Sequence, residues 1–412
     1  MSRWLLAWEL GHGLGHLAGL VALAQQALRH GIEPVIASCK PLPPSVVLPV
    51  GARYLLAPAL PSTSAPMAGT SSMTELLFEQ GFADTDALVS GVQRWRDLIE
   101  IVAPDALVAD HAPTALLTAR ALGVAAVQLG TGFAIPPSHG SGALPSFRSW
   151  ETPNVQRMAQ AESAISLALQ QAAARTGLPL LTSVAALYDT PWVIRSVAML
   201  DHYAATLRGQ TRYPARYCGP LELATTAAAT ATPAWPGATN GSRDRARVLV
   251  YLKAAHPLTL PLLNALAVHR GGVAISALVY VEGAEGVGNP HNHIHIQNTP
   301  LPFKALLASA HLAIHQGGIG TSSQALLAGV PQLVLPEMAE AFITARTLVA
   351  EGVAALLRPE ASLEAVQQSL SALLDNGRYR QTAAELAARN APLAGDNSAL
   401  LWRLINEALA DV

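Results

Sequence analysis

The sequence predicts an α/β protein of two domains, each built on a parallel sheet, and three observations carry that expectation. Short apolar runs alternate with longer amphipathic ones along most of the chain, the pattern of strand–helix–strand units. The alternation breaks between Thr225 and Arg245, where TTAAATATPAWPGATNGSRDR is poor in large apolar residues, and then restarts. The third is size: 412 residues exceed one typical core, and 51% hydrophobic against 13% charged residues supply enough apolar side chains to bury two sheets. The expected organisation is a Rossmann-like domain over 1–220, a linker over 221–246, a second Rossmann-like domain over 247–395, and a C-terminal helix over 396–412 that can pack back on the first domain.

In the first half, Trp4–Trp8 reads as a strand, followed by a glycine-rich turn and a helix from about Leu17 to His30, with Gly31 as its stop. Pro34–Ser38, Arg53–Leu56, Ala106–Ala109 and Val124–Leu129 read as further strands, the last two separated by the helical stretch Ala112–Leu122. Two insertions rich in Ser, Gly and Pro, Pro61–Met73 and Pro136–Pro153, read either as functional loops or as plain exposed connections. After the linker, Val248–Leu252, Val273–Val279, His293–Gln297, Leu312–His315 and Gln332–Leu335 are the expected strands. The last amphipathic run, Ser398–Ala410, follows a break containing Gly395.

Composition excludes several classes. A formal net charge of -2 with no basic block gives no electrostatic footprint for nucleic acid. The two cysteines, Cys39 and Cys218, stand far apart and outside any metal-ligand spacing, as expected of a reduced, cytoplasmic protein. The opening MSRWLLAWELGHGLGH is interrupted by Glu9 and lacks a small-residue cleavage site, so no signal peptide is expected. No segment approaches the roughly 20 apolar residues of a membrane span. His291, His293 and His295 share one face of a strand but have no carboxylate or cysteine beside them, and no metal site is expected there or elsewhere.

The most informative segment is HLAIHQGGIGTSSQALLAGVPQLVLP, from His311 to Pro336. A strand ends at His315, glycines follow, and Thr321 is expected to open a helix. Gly317, Gly318 and Gly320 let the backbone turn tightly and approach a ligand without Cβ interference. The helix N-terminus offers free N–H groups and the positive end of its dipole to an anion. Thr321 and Ser322 add hydroxyls, and His315 is expected to donate to a phosphate oxygen. The string resembles the donor-binding box of family 1 glycosyltransferases, enzymes of the glycosyltransferase-B fold. Their pattern, His-x-Gly-Gly-x-Gly-Thr followed by Ala-x-x-x-Gly-Val-Pro and a strand ending in Pro, is met by His315, Gly317, Gly318, Gly320, Thr321, Ala325, Gly329, Val330, Pro331 and Pro336.

The first turn, Glu9-Leu10-Gly11-His12-Gly13-Leu14-Gly15-His16-Leu17, resembles that family's first turn, where a Gly-His pair ahead of the first helix carries the catalytic base. His16 falls on that histidine. An imidazole at the C-terminal end of strand one lies where open α/β sheets bind ligands, and its chemistry suits a general base. Asp110 ends the strand PDALVAD and matches the family's partner to the base; strands one and four would be neighbours in a 3-2-1-4-5 order. Two other readings stand beside these: His12 is a second turn histidine, and Asp110 could cap the helix beginning near Pro113. The family's Pro three residues after the histidine is Gly19 here, a departure expected to bear on helix geometry more than on chemistry. Gly13-Leu14-Gly15-His16-Leu17-Ala18 also satisfies a dinucleotide fingerprint, but strand two ends Ala37-Ser38-Cys39-Lys40 without the ribose-binding carboxylate, so no nicotinamide cofactor is expected.

The resemblance, strongest over 300–355 and 3–38, implies two facing Rossmann-like domains, the N-terminal one for the acceptor and the C-terminal one for the sugar nucleotide. It implies an inverting, metal-independent transfer to a hydroxyl of a small-molecule or lipid acceptor, with His16 as base and Asp110 steadying the imidazolium. The sugar nucleotide is a co-substrate, and no bound cofactor is expected. At the donor, Glu340 fills the family's acidic place, Ala341 stands where its Gln would be, and Gln324 replaces its ribose-binding Glu. Pro300 occupies the base-stacking position, with Pro302 beside it. An amide offers ribose fewer acceptor sites than a carboxylate, so the expectation is a dTDP-deoxysugar, with a UDP-hexose as the alternative. A non-catalytic sugar-nucleotide-binding partner and a sugar-nucleotide epimerase of the same fold are the other readings.

Overall fold

The computed structural model describes residues 2–60, 69–138, 143–223, 232–237, 245–269, 272–283, 291–297 and 299–412. Residues 61–68 and 139–142 of the two loop insertions, and 224–231 and 238–244 of the expected linker, lie outside them. The chain divides into two compact units, Met1–Ala224 with Asp396–Val412, and Thr225–Gly395.

In the first unit the order is β1 (Arg3–Trp8), α1 (Gly15–Arg29), β2 (Glu33–Ser38), β3 (Arg53–Leu56), α2 (Met73–Glu79), α3 (Thr85–Val102), β4 (Ala106–Asp110), α4 (Pro113–Ala121), β5 (Ala125–Gly130), α5 (Val155–Thr176), β6 (Trp192–Ile194) and α6 (Ala205–Arg208). The second unit holds β7 (Arg245–Lys253), α7 (Thr259–Ala267), β8 (Ala274–Glu282), β9 (Ile294–Gln297), α8 (Phe303–Leu307) and β10 (Leu312–His315). It continues with α9 (Ile319–Leu327), β11 (Gln332–Val334), α10 (Ala339–Ala350), β12 (Ala354–Leu356), α11 (Leu363–Asp375) and α12 (Gly377–Arg389). The last helix, α13 (Ser398–Leu409), belongs to the first unit.

Each unit is a six-stranded parallel sheet, in the orders β3-β2-β1-β4-β5-β6 and β12-β11-β10-β7-β8-β9. The near-continuous apolar runs follow from that arrangement, because a parallel sheet covered by helices buries both of its faces. In β1, Trp4, Leu6 and Trp8 join the cluster beneath α1 and α13, while Leu5 and Ala7 join the one beneath α3 and α4. In β7, Val248, Val250 and Leu252 face α7 and α11, while Leu249 faces α8 and α9.

Two strands have no counterpart in the sequence reading. β6 and β12 are three residues each, too short to display a period of two, and unlike the equally short β11 they have no motif beside them. Two helices start earlier than expected, α1 at Gly15 rather than Leu17 and α9 at Ile319 rather than Thr321. Neither has a side-chain cap, and capping residues were the signal for the start. Among the described residues no helix is long and apolar enough to cross a membrane.

α13 closes the first core from outside the first 224 residues. Leu401, Ile405 and Ala408 are buried beside Leu17, Leu20 and Val21 of α1. The Trp402 ring stacks on Trp4 at 5.0 Å and on His30 at 4.2 Å between centroids. Gln26 Nε2 donates to Ser398 Oγ at 2.9 Å, and Arg216 pairs with Asp411 at 2.5 Å. Trp402→Ala should therefore lower the unfolding free energy of this unit by about 2–3 kcal/mol, a partial loss of a large aromatic contact. Urea denaturation checks it, and a change under ~0.5 kcal/mol, within the range of an ordinary surface substitution, would mean that α13 is only loosely seated.

Candidate functional site

The first constellation stands at the C-terminal ends of β1 and β4. These strands are neighbours with Trp8 opposite Asp110, at the point where strand order reverses, the usual ligand-binding position of an open α/β sheet. After β1 the chain turns through Gly11 (φ +90°) and Gly13 (φ +95°), and α1 starts at Gly15, so His16 lies in its first turn. His16 Nδ1 is 2.8 Å from Asp110 Oδ1, with His16 7% and Asp110 0% exposed. The Trp8 ring stacks on the imidazole at 4.9 Å and 16°. Burial pushes the Asp110 carboxyl up, but the charge of Arg195, with His16 behind it, outweighs burial and holds the group below its usual range. An ionised Asp110 accepts only, so Nδ1–H is the donor, and in the neutral ring Nε2 carries the lone pair. A Cβ on Gly11 would come 2.8 Å from His16 Nε2, so that glycine keeps the atom clear as well as making the turn.

The fold places the residues of the two open readings in different settings. His12 is exposed in the turn and His16 is buried, so the two are not equivalent. Asp110 is no helix cap; α4 has Ala112 at its N-cap, and Glu9 Oε2 accepts the Thr114 N–H at 2.9 Å. Burial pushes the Glu9 carboxyl up to about 7 against the bonds from Thr114 that oppose it. His111, at φ +47°, uses its carbonyl to accept the Leu10 N–H at 2.9 Å, tying the first turn to the end of β4.

Sequence reasoning missed Arg195. It follows the three-residue β6, is 5% exposed, and places Nη2 3.2 Å from Asp110 Oδ2. Gly19 was read as a matter of helix geometry, yet a Cβ there would come 3.0 Å from Arg195 Cδ. The departure at 19 therefore reaches the charged cluster.

The second constellation is the β10–α9 turn. Gly317 has φ +83°, and a Cβ on it would meet Val334 Cγ1 at 2.9 Å and the Ala341 carbonyl at 3.0 Å, so the protein itself demands glycine. Gly318 and Gly320 have open space where a Cβ would go. α9 begins on Gly318 without a side-chain cap, leaving the first-turn N–H groups of Ile319, Gly320 and Thr321 unpaired within the helix. Their partial positive charge and the dipole fit an anion. Ala341 packs on this turn where the family's Gln would stand. Glu340 lies in the first turn of α10 with Oε1 buried and lacking a hydrogen-bond partner.

Two expected contributors are corrected. His315 is 1% exposed and accepts the Gly317 N–H on Nδ1 at 3.0 Å, so Nε2–H donates to Gln332 Oε1 at 2.9 Å. Both ring nitrogens are spent inside the protein, and burial pushes the imidazole down to about 4 against the Gln332 bond, so it is neutral. It shapes the turn and has no N–H to give a phosphate. Ser322 is fully buried and its hydroxyl has no hydrogen-bond partner, which leaves half-buried Thr321 as the accessible hydroxyl of the turn. Gln324 is half-buried in the second turn of α9, and Pro300 and Pro302 flank buried Leu301 ahead of α8. Nearby in the same unit Tyr251, opposite His315 in register, packs on Tyr280 and Phe303, an aromatic group the low aromatic content did not announce. Among the described residues no group of three or more His, Cys, Asp or Glu side chains is placed to hold a metal ion.

Two parallel-sheet units, one with a buried His–Asp pair and one with a glycine turn feeding an uncapped helix, form the glycosyltransferase-B fold. The spinosyn rhamnosyltransferase SpnG in complex with thymidine diphosphate superposes with a TM-score of 0.66 at 20% identity, over 98% of this chain and 100% of that one. The calicheamicin glycosyltransferase CalG4 gives 0.66 at 16% identity, over 100% and 99%. Residues 283–394 match the family described as erythromycin biosynthesis protein CIII-like, C-terminal domain. The chain is 36% identical to the 10-deoxymethynolide desosaminyltransferase of Streptomyces venezuelae over 77 residues, 18% of each chain. It is 35% identical to the elloramycin glycosyltransferase ElmGT of Streptomyces olivaceus over 105 residues, 24% of this chain and 25% of that one. These matches span about a fifth to a quarter of the curated relatives' lengths. The chain has the glycosyltransferase-B fold, and its second unit carries an erythromycin biosynthesis protein CIII-like C-terminal domain.

The two kinds of glycine in the turn are separable. Gly317→Ala should cost about 1–3 kcal/mol of stability from the left-handed backbone and the clash with Val334. Gly318→Ala should leave stability within ~0.5 kcal/mol. Equal losses in the two variants, measured by thermal or urea unfolding, would show that the protein rather than a ligand sets both positions.

Proposed function

We propose that this protein transfers a sugar from a nucleoside-diphosphate sugar to a hydroxyl group of a small natural product or lipid. The observation that carries the proposal is the buried His16–Asp110 pair with Nε2 kept clear by Gly11. In this reading Nε2 takes the proton of the acceptor hydroxyl. The acceptor oxygen bonds to the anomeric carbon as the bond from that carbon to the diphosphate breaks, and the nucleoside diphosphate leaves with the electron pair. Displacement from the opposite face inverts the anomeric centre. Asp110 steadies the imidazolium as it forms, the part an orienting carboxylate plays beside a histidine base.

The β10–α9 turn is assigned to the diphosphate. First-turn N–H groups and the helix dipole stabilise the charge that grows on the leaving group, so the chemical step needs no metal. For the donor, the amide of Gln324 and the missing Gln at Ala341 favour a dTDP-deoxysugar over a UDP-hexose. Two neighbours in fold, SpnG and VinC, have structures in complex with thymidine diphosphate, which supports that choice.

His16→Ala should lower turnover by roughly 10²–10⁴, the range for a positioned base, with the dissociation constant of the nucleotide hardly changed. Activity of the unmodified protein should survive a chelator in the same assay. Full activity in His16→Ala, or its loss from His12→Ala instead, would remove the base assignment. Calorimetric titration should give tighter binding of dTDP than of UDP; tenfold tighter UDP binding with efficient UDP-glucose transfer would reverse the donor choice.

A further inference from the structure

Arg195 has no part in the scheme just given, yet it is among the most enclosed cations of the first unit. Its backbone N–H donates to Gly130 O at 2.9 Å, fixing the residue at the end of β5. The stem runs along α1: a Cβ on Gly19 would come 3.0 Å from Cδ and 3.4 Å from Nε, and one on Gly15 would come 3.7 Å from Nη1. Nε has no hydrogen-bond partner, and Nη2 meets Asp110 Oδ2, the oxygen that His16 does not use. That 3.2 Å contact falls outside hydrogen-bond geometry, leaving Oδ2 without a hydrogen bond, so it acts through charge. A dry carboxylate is thus flanked by a titratable ring on one side and a permanent cation on the other. The Cβ that the family's proline would bring at 19 would press on that stem.

We propose that Arg195 is a positioning residue that sets the working pH of the His16 base, keeping Asp110 ionised while limiting how tightly that carboxylate holds a second proton on His16. The proposal rests on the reading of His16 as the base. With an imidazole alone beside it, a buried carboxylate would favour the imidazolium strongly. With Arg195 already in place, protonating His16 sets two cations against one anion, which makes the second positive charge costlier than it would be beside the carboxylate alone. Of the other titratable groups around the pair, only His111 adds to the charge on Asp110, and less than Arg195 does. His111 stands at the end of β4 with its ring 6.3 Å from that of His16. Burial pushes the Cys218 thiol, which feels the charge of Arg195, up to about 12, and Glu9 up to about 7. Of these groups only Arg195 is positive at every working pH.

The test is the acid limb of kcat/KM against pH, alongside an NMR titration of the His16 ring, in R195M and R195K. In R195M both midpoints should move up by about one unit, while the alkaline plateau of kcat/KM is kept. R195K, which restores the charge, should return both toward the unmodified values. R195Q takes the place of R195M if the latter does not fold. Unmoved midpoints in R195M, or R195K behaving as R195M does, would overturn the proposal and leave the His16 assignment to the alanine variant above. A ring titration that moves while the acid limb stays would refute His16 as the base, and with it any catalytic part for Arg195.

Discussion

A carboxylate sealed completely from water persists only where neighbouring charge and donors replace its hydration, and Asp110 is such a group. Much of the first unit's functional edge can be read as the answer to that requirement. His16 serves one oxygen and Arg195 the other. Gly19 makes room for the arginine, and Gly130 keeps the end of β5 clear of the carboxylate, where a Cβ would come 3.4 Å from Oδ1. Glu9 relieves Asp110 of the capping role its position invites. Removing either partner would leave a buried charge short of compensation, so the pair and the arginine belong to one electrostatic unit.

The second unit meets the opposite requirement, since its turn must hold positive potential open. Neutral His315 locks the turn to the sheet through Gln332, whose own Nε2 donates to Ser322 O at 3.3 Å. That chain fixes the start of α9 without placing any side chain over its N-terminus. A histidine conspicuous in the motif therefore works beneath the turn, and the backbone above it presents the chemistry.

The contrast shows what a sequence can and cannot disclose. Among the described residues the sequence reading located ten of twelve strands; β11 is as short as β6 and β12, but it lies inside the Gly-Val-Pro to Pro336 stretch of the motif, whereas β6 and β12 have no such marker. Motif spacing located His16, Asp110 and the glycine turn, since those residues sit close together in the chain or at strand ends. Their hydrogen-bond roles were less accessible. Whether His315 faces a ligand or the protein depends on Gln332, seventeen residues away and on another strand. Arg195 was invisible for a related reason: its partner lies 85 positions earlier, and nothing around it in the chain marks it as other than a surface arginine. Gly19 carried the one trace of it, as a missing proline.

The return of α13 has a consequence for how the molecule is made. Gln26 and Ser398 are bonded across 372 positions, and between them lies the whole of the second unit. During synthesis the first sheet is complete long before the helix that seals Leu17, Leu20 and Val21 has left the ribosome. The second unit, continuous in sequence, can finish folding while its predecessor still waits for its last piece. Contacts of such long range are the slow step in a folding order, and the apolar face they cover is exposed until they form. The protein emerges with its domains in one order and completes them in the other.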